Sequence, residues 1–291
     1  MKMKKRIIAM SLVVTSTLVP FCYGKDIITS TPVTYMLSEQ LMQGTGIETR
    51  YLPPKRYGIE RLVNWFASKG QRQAIKAGQE ATVAITLGAI WHQDPTYVYA
   101  RQGNIRLIEI DASQAISPRA QGVAALTLDN GEPSKYAWMN PTNLIRMAAI
   151  VGEDLQKVYP QYQAQIENNQ QALMLEVREL INQQQEVIFA KEMDSVVLLG
   201  ESLEDFASGN QLFVVDRQFK PELEWSEAEK RALAAQFQQD DTLWLITSKK
   251  PSALLKSLVP AERIVQIDVL DRWGSKGVDR QSPLSRWQLR F

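Results

Sequence analysis

Apolar residues recur at helical spacing through the middle of the chain. Leu144, Met147, Ala148, Val151, Leu155 and Val158 fall three or four positions apart, the period of one helix face. Asn140 stands where a cap belongs, and Pro141 suits the first helical position. Pro160 cannot continue that helix but can open the next one. Beyond it Tyr162, Ile166, Leu173, Val177, Leu180 and Ile181 form a second stripe. This spacing predicts a spanning helix over residues 159–185, roughly 25 residues or about 37 Å long. Such a helix is comparable in length to a whole domain. Short apolar runs flank it on both sides, so it is expected to act as a strut between two α/β lobes, residues 25–158 and 186–291.

The flanking runs read as strands. Upstream, Asp26–Val33 predicts a strand, followed by a helix through Tyr35, Leu37 and Leu41, a turn at Gly44-Thr45-Gly46 and a strand over Ile47–Leu52. Thr82–Leu87 and Ile105–Ile110 predict two more strands, separated by the polar and aromatic loop Gly88–Pro95. Ser113–Ser134 carries two Pro and two Gly and reads as a long loop. Downstream, strands are predicted over Ser195–Leu199, Gln211–Val215, Thr242–Thr247 and Ile264–Ile267. Between them lie short helices over Glu201–Ala207 and Pro251–Leu258, and a helix to about Phe237 opened by a capping box at Ser226 and Glu229. Strands alternating with helices imply parallel sheets, whose ligand crevice lies at the carboxyl ends of the strands. The expected fold class is α/β: two parallel-sheet lobes joined by the long helix, with a cleft between them.

Composition changes this picture at the N-terminus. Met1–Arg6 is basic, Ile7–Phe21 is apolar, and Cys22-Tyr23-Gly24 ends on a small residue, the arrangement of a cleavable signal peptide. Residues 1–24 are therefore expected to direct export to a bacterial periplasm. The remainder holds 29 basic against 32 acidic residues, net −3, and no cysteine. No disulfide or thiolate ligand is then available, and the charge gives no reason to expect a nucleic-acid partner. With His92 as the single histidine and no GxSxG elbow, nucleophilic triads fare poorly. Gly44-Thr45-Gly46 lacks a third glycine and a following helix, so it is a poor phosphate loop.

Four stretches carry a family resemblance: Pro53-Pro54, Ala81–Gly88, Tyr136-Ala137-Trp138-Met139-Asn140-Pro141, and Tyr159-Pro160 before the spanning helix. In this order they resemble the periplasmic zinc/manganese-binding (TroA-like) receptors of ABC transporters, over nearly all of the chain after the signal peptide. The resemblance implies a two-lobed, non-enzymatic solute receptor, a monomer that delivers its ligand to an inner-membrane ABC permease. It also implies where metal ligands would stand: a histidine within 56–66, a second at Tyr136, a third near Gly200 beside Glu201, and an acid at Asp268. This chain has no imidazole at any of these positions.

The expected ligand-binding residues are Tyr136, Glu201, Asp268, His92 and Arg56, with Asp268, Glu201 and His92 as candidate metal ligands. Each has a plain alternative. His92 can be a solvated loop residue, Asp268 a turn or cap aspartate, Glu201 a first-turn acid favoured by the helix dipole, and Trp138 core. Arg56, next to Tyr57, either belongs to a solvated basic loop or suits an anionic or chelated ligand. The bound species is one divalent ion (Mn, Zn or Fe), a metal chelate or another small solute. An oxygen-rich set favours Mn²⁺ over Zn²⁺, whereas Trp65, Phe66, Trp91, Tyr136 and Trp273 suit something bulkier than an ion. A different class of function also fits: a non-transport periplasmic accessory protein that kept the fold and lost the site.

Overall fold

The computed structural model describes residues 26–114 and 122–291. The expected signal peptide and residues 115–121 of the long loop lie outside the described residues. The chain opens with β1 (Ile27–Thr29), α1 (Pro32–Leu41) and β2 (Thr49–Tyr51). There follow α2 (Leu62–Trp65), a π-helical turn (Phe66–Gly70) and α3 (Gln71–Glu80). Then come β3 (Val83–Thr86), α4 (Pro95–Ala100) and β4 (Ile108–Asp111), and the paired helices α5 (Pro141–Val158) and α6 (Gln163–Ala190). The second half holds β5 (Ser195–Leu198), α7 (Glu204–Gly209), β6 (Phe213–Arg217) and α8 (Glu227–Gln239). It closes with β7 (Leu243–Thr247), α9 (Ala253–Leu258) and β8 (Ile264–Gln266).

Two four-stranded sheets result, ordered β2-β1-β3-β4 and β6-β5-β7-β8, and every pairing is parallel. Counted within its own lobe, each sheet has the order 2-1-3-4. Each therefore reverses direction between its first and third strands, the place where open α/β sheets form a crevice.

Local chemistry explains where elements start and stop. The first strand is shorter than expected because Thr31 caps α1: its hydroxyl accepts from Thr34 N at 3.4 Å, and Pro32 takes the first helical position. Asn140 caps α5 by accepting from Thr142 N at 3.0 Å, with Pro141 next. Leu144, Met147, Ala148, Val151 and Leu155 are fully buried. Ser226 and Glu229 close a reciprocal capping box on α8.

Helix α6 is 28 residues long, about 42 Å, and buries one seam: Ile166, Leu173, Val177, Leu180, Gln184 and Ile188. It passes residue 185 because Ile188 continues the seam, and it ends just before Glu192 turns to φ 51°. The helical stretch 62–80 has no counterpart in the sequence expectations. Much of its inner face is made of Ala74, Ala77 and Gly78, which carry little apolar signal. The helix needs a small residue there, since a Cβ on Gly78 would lie 2.0 Å from Ala100 O in α4.

The lobes are joined by more than the strut. Trp138, 1% exposed, donates from Nε1 to Val269 O at 3.0 Å. After β8 the chain runs back over the first lobe. Trp273 packs against Tyr35 and Tyr51 at 4.7 and 5.0 Å between ring centroids. Gly274 N donates to Lys55 O at 2.8 Å, and Arg280 pairs with Glu39. Gln184, buried in α6, donates to Trp287 O at 2.9 Å and anchors the chain's end.

Candidate functional site

The cleft between the lobes holds two cavities, of about 530 and 750 Å³, that share Glu60 and Tyr136. Tyr136 sits just before a 3-10 turn (Ala137–Met139) that leads into the cap of α5. Its backbone N–H donates to Ser134 Oγ at 3.2 Å, and its ring lies 5.4 Å from that of the anchored Trp138. Burial raises the pKa of its hydroxyl well above the usual phenol range; nearby Asp271, Glu60 and Glu201 add to this and Arg272 opposes it. Tyr136 therefore stays protonated, a neutral donor and acceptor at the centre of the cleft.

Glu60 is placed by a 3-10 turn (Ile59–Arg61) that follows Gly58. A Cβ at Gly58 would come within 2.6 Å of Asp271 Oδ2, so the glycine lets the 271–272 segment approach the first lobe. Lys135 Nζ lies 3.5 Å from Glu60 Oε1. The first cavity is lined in addition by Trp91, His92, Glu132 and Glu201. The second lies at the carboxyl ends of β5 and β7 and is lined by Phe219, Lys249, Asp268, Asp271, Arg272 and Lys276, among others.

Asp268 is fully engaged. Arg286, 8% exposed, donates from Nη2 to Oδ1 at 2.9 Å and from Nε to Oδ2 at 3.1 Å. Leu270 N donates to Oδ1 at 2.9 Å, and Lys276 Nζ lies 3.4 Å from Oδ2. Burial disfavours the charged carboxylate, but these donors outweigh it and hold Asp268 below the usual carboxylate range. The remaining Arg286 nitrogen, Nη1, donates to the carbonyls of Arg272, Trp273 and Gly277 at 3.0, 3.1 and 3.1 Å. Arg286 thus organises the segment that crosses to the first lobe.

Of the residues expected at the site, His92, Tyr136 and Glu201 line the first cavity, and Tyr136 and Asp268 line the second. Arg56 lines neither; it is exposed, with its guanidinium 5.5 Å from the Tyr57 ring centroid. That stacking holds it against the loop and away from the cleft. Asp268, Glu201 and His92 do not form a ligand set. Among the described residues no three His, Cys, Asp or Glu side chains stand together in a way that could hold a metal ion. The physical reason lies at Asp268, where a resident guanidinium occupies the position a metal cation would need.

Sequence reasoning missed Glu60, Asp271, Arg272, Lys249 and Arg286. Glu60 had a signal, being the single acid within 56–66. Arg286, 18 residues from its partner, had none.

Behind Tyr136 lies a second unusual acid. Asp205 is 1% exposed, and its carboxyl oxygens make no hydrogen bond of regular geometry, with the Ser134 hydroxyl nearby. Burial pushes its pKa up to about 6, and Glu204 adds to the rise.

The family model for the periplasmic zinc-uptake complex component A matches residues 27–282. No curated protein matches the chain by sequence. Among solved structures it is similar to a ZnuA, with 19% identity and a TM-score of 0.61 over 85% of this chain and 92% of that one. It is also similar to a Zn(II)-bound AdcA from Streptococcus pneumoniae, at 15% identity and TM-score 0.63, covering 86% of this chain and 52% of AdcA. A mutant FpvC from Pseudomonas aeruginosa gives 15% identity and TM-score 0.64 over 85% of this chain and 90% of FpvC. The chain belongs to the periplasmic zinc-uptake complex component A family, whose members are solute-binding proteins and not enzymes.

Proposed function

We propose that this protein is the exported substrate-binding component of an ABC transporter, and that it carries a metal chelate or other small solute rather than a bare divalent ion. Residues 25–158 and 186–291 would be the two lobes that hold the solute, with the spanning helix stiffening the hinge so that little closure accompanies capture. Export and hand-over to an inner-membrane permease rest on the family. The nature of the cargo rests on the site.

The observation that carries the reading is the Asp268–Arg286 pair, with its N–O distance of 2.9 Å. A divalent cation placed there would face a fixed guanidinium and Lys276, a repulsion that grows as water is excluded. Asp271 is likewise matched, by Arg272 at 2.6 Å. The cavities, about 530 and 750 Å³, are of the size of small-molecule sites, which run from roughly 300 to 1,000 Å³. Tyr136, half-buried and protonated, supplies a neutral hydrogen-bonding group where the two cavities meet.

Native mass spectrometry with parallel metal analysis tests this on protein isolated from periplasm without a polyhistidine tag. An organic or chelate adduct is expected. One equivalent of Zn or Mn without organic mass would overturn the reading.

A further inference from the structure

A third cavity, of about 380 Å³, lies beside the second at the carboxyl end of the second sheet. The two share Leu199, Phe219 and Lys249. Its walls are largely apolar, with Phe219, Leu223, Trp225 and Leu254 facing it. Leu223 is 100% exposed and Phe219 38% exposed. A lone exposed leucine needs no explanation, but this one is held in place over a concavity. It sits in the middle of a 3-10 turn (Glu222–Glu224) pinned from both sides. Glu222 Oε2 accepts from the Ser252 hydroxyl that caps α9, and Trp225 Nε1 donates to Lys220 O at 2.8 Å. An apolar wall on a rigid turn has little ordering entropy left to lose when a ligand covers it.

At the junction of the two cavities stands Lys249. Among the described residues its ammonium makes no side-chain hydrogen bond or ion pair, whereas Arg272, Lys276 and Arg286 in the adjoining cavity are all paired with carboxylates. The free positive charge therefore lies where the apolar cavity opens into the cleft. The chemistry that satisfies both features is one molecule with an anionic group at Lys249 and an apolar or aromatic portion between Phe219 and Leu223.

We infer that the third cavity is a subsite of the solute cleft and that the cargo is an amphipathic organic anion, free or as the chelating part of a complex. This deepens the proposed transport role and rests on it for the identity of the cleft.

The test uses 8-anilinonaphthalene-1-sulfonate, an aromatic sulfonate whose fluorescence rises on entering an apolar site, with the mature protein and the variants L223D, K249E and R56A. Leu223 and Lys249 are exposed, so their variants fold; circular dichroism and thermal melts verify this. One saturable site is expected. L223D and K249E should each weaken it roughly tenfold or more, the loss of one buried apolar side chain or one charge-assisted contact. R56A, exposed and lining none of the three cavities, should leave it within about twofold. Equal binding by wild type, L223D and K249E would overturn the subsite.

The periplasmic adduct keeps this result separate from the transport reading. An adduct that persists unchanged in L223D and K249E would remove the subsite while leaving transport standing. An adduct-free wild type that still shows the L223D and K249E effects would keep the subsite and count against transport.

Discussion

The two lobes share one topology and satisfy the polar groups at its strand ends differently. Each sheet has the order 2-1-3-4, so each makes a crevice where its strand order reverses. In the first lobe the polar groups at the strand ends bond one another, and the loop after β3 still presents Trp91 and His92 to the first cavity. Asp94 Oδ1 accepts from Thr96 N and Oγ1 at 2.9 and 2.6 Å, and its Oδ2 accepts from Leu87 N at 2.8 Å. Thr96 Oγ1 in turn meets Ser30 Oγ at 2.5 Å. Asp111 binds the amides of Ala89 and Ser113 at 2.7 and 2.9 Å. In the second lobe the loops after β5 and β7 leave open cavities, and among the described residues the Lys249 ammonium makes no side-chain hydrogen bond or ion pair. A shared topology fixes where a crevice forms; whether its polar groups satisfy one another decides whether anything can bind there.

Four substitutions break or sharpen this contrast. The largest effect is expected from R286M, which strips Asp268 of its guanidinium and leaves a half-buried carboxylate beside three orphaned carbonyls. Loss of one partner of such a pair costs about 3–5 kcal/mol, read as a fall in the urea midpoint. Next comes D94A, among the mutually bonded polar groups of the first lobe. It removes the cap of α4 and three accepted hydrogen bonds, so it should cost about 2 kcal/mol. It should also leave the periplasmic adduct unchanged, and loss of the adduct would break the contrast between the lobes.

The third is D205N, followed as a function of pH. The folded pKa of Asp205, about 6, lies above its ordinary 3.8, so the native state takes up the proton first as pH falls. Wild-type stability relative to D205N therefore rises as pH drops from about 7 towards 4, and above pH 6 the buried charge is an uncompensated cost. The difference between the ends of that window should be on the order of 1–3 kcal/mol, measured by denaturation at both pH values. The smallest effect belongs to R56A. Arg56 is exposed and lines neither cleft cavity, so stability should move by less than about 0.5 kcal/mol and the adduct should be unaltered.

How far the sequence discloses this molecule follows from the range of each signal. The α5 stripe, its Asn140-Pro141 cap and the Ser226–Glu229 box are legible because each is written within a few residues. Residues 62–80 are not, because alanines and glycine carry much of the buried face. The matching topology of the two lobes is invisible too, since short apolar runs hold no record of strand order.

In the site the same division holds. The motif around Tyr136 points to a residue that lines both cleft cavities, and Glu60 is partly legible as the single acid of its segment. Asp268 stands out in its sequence context, but its neutralisation does not. The cation arrives from Arg286, 18 residues on, through a contact that no local pattern encodes. The sequence shows the missing imidazoles and the aromatic residues, but not the charge pairing on which the proposal of a bulkier cargo rests.

The most direct test of that decision is calorimetric titration of Zn²⁺ and Mn²⁺ into tag-free mature protein, paired with thermal melts at the same metal concentrations. A cleft whose key acid is already neutralised predicts no one-to-one heat and no rise in melting temperature. One-to-one binding at micromolar affinity would contradict the account, as would stabilisation near the roughly 2.7 kcal/mol expected at a hundredfold excess over Kd.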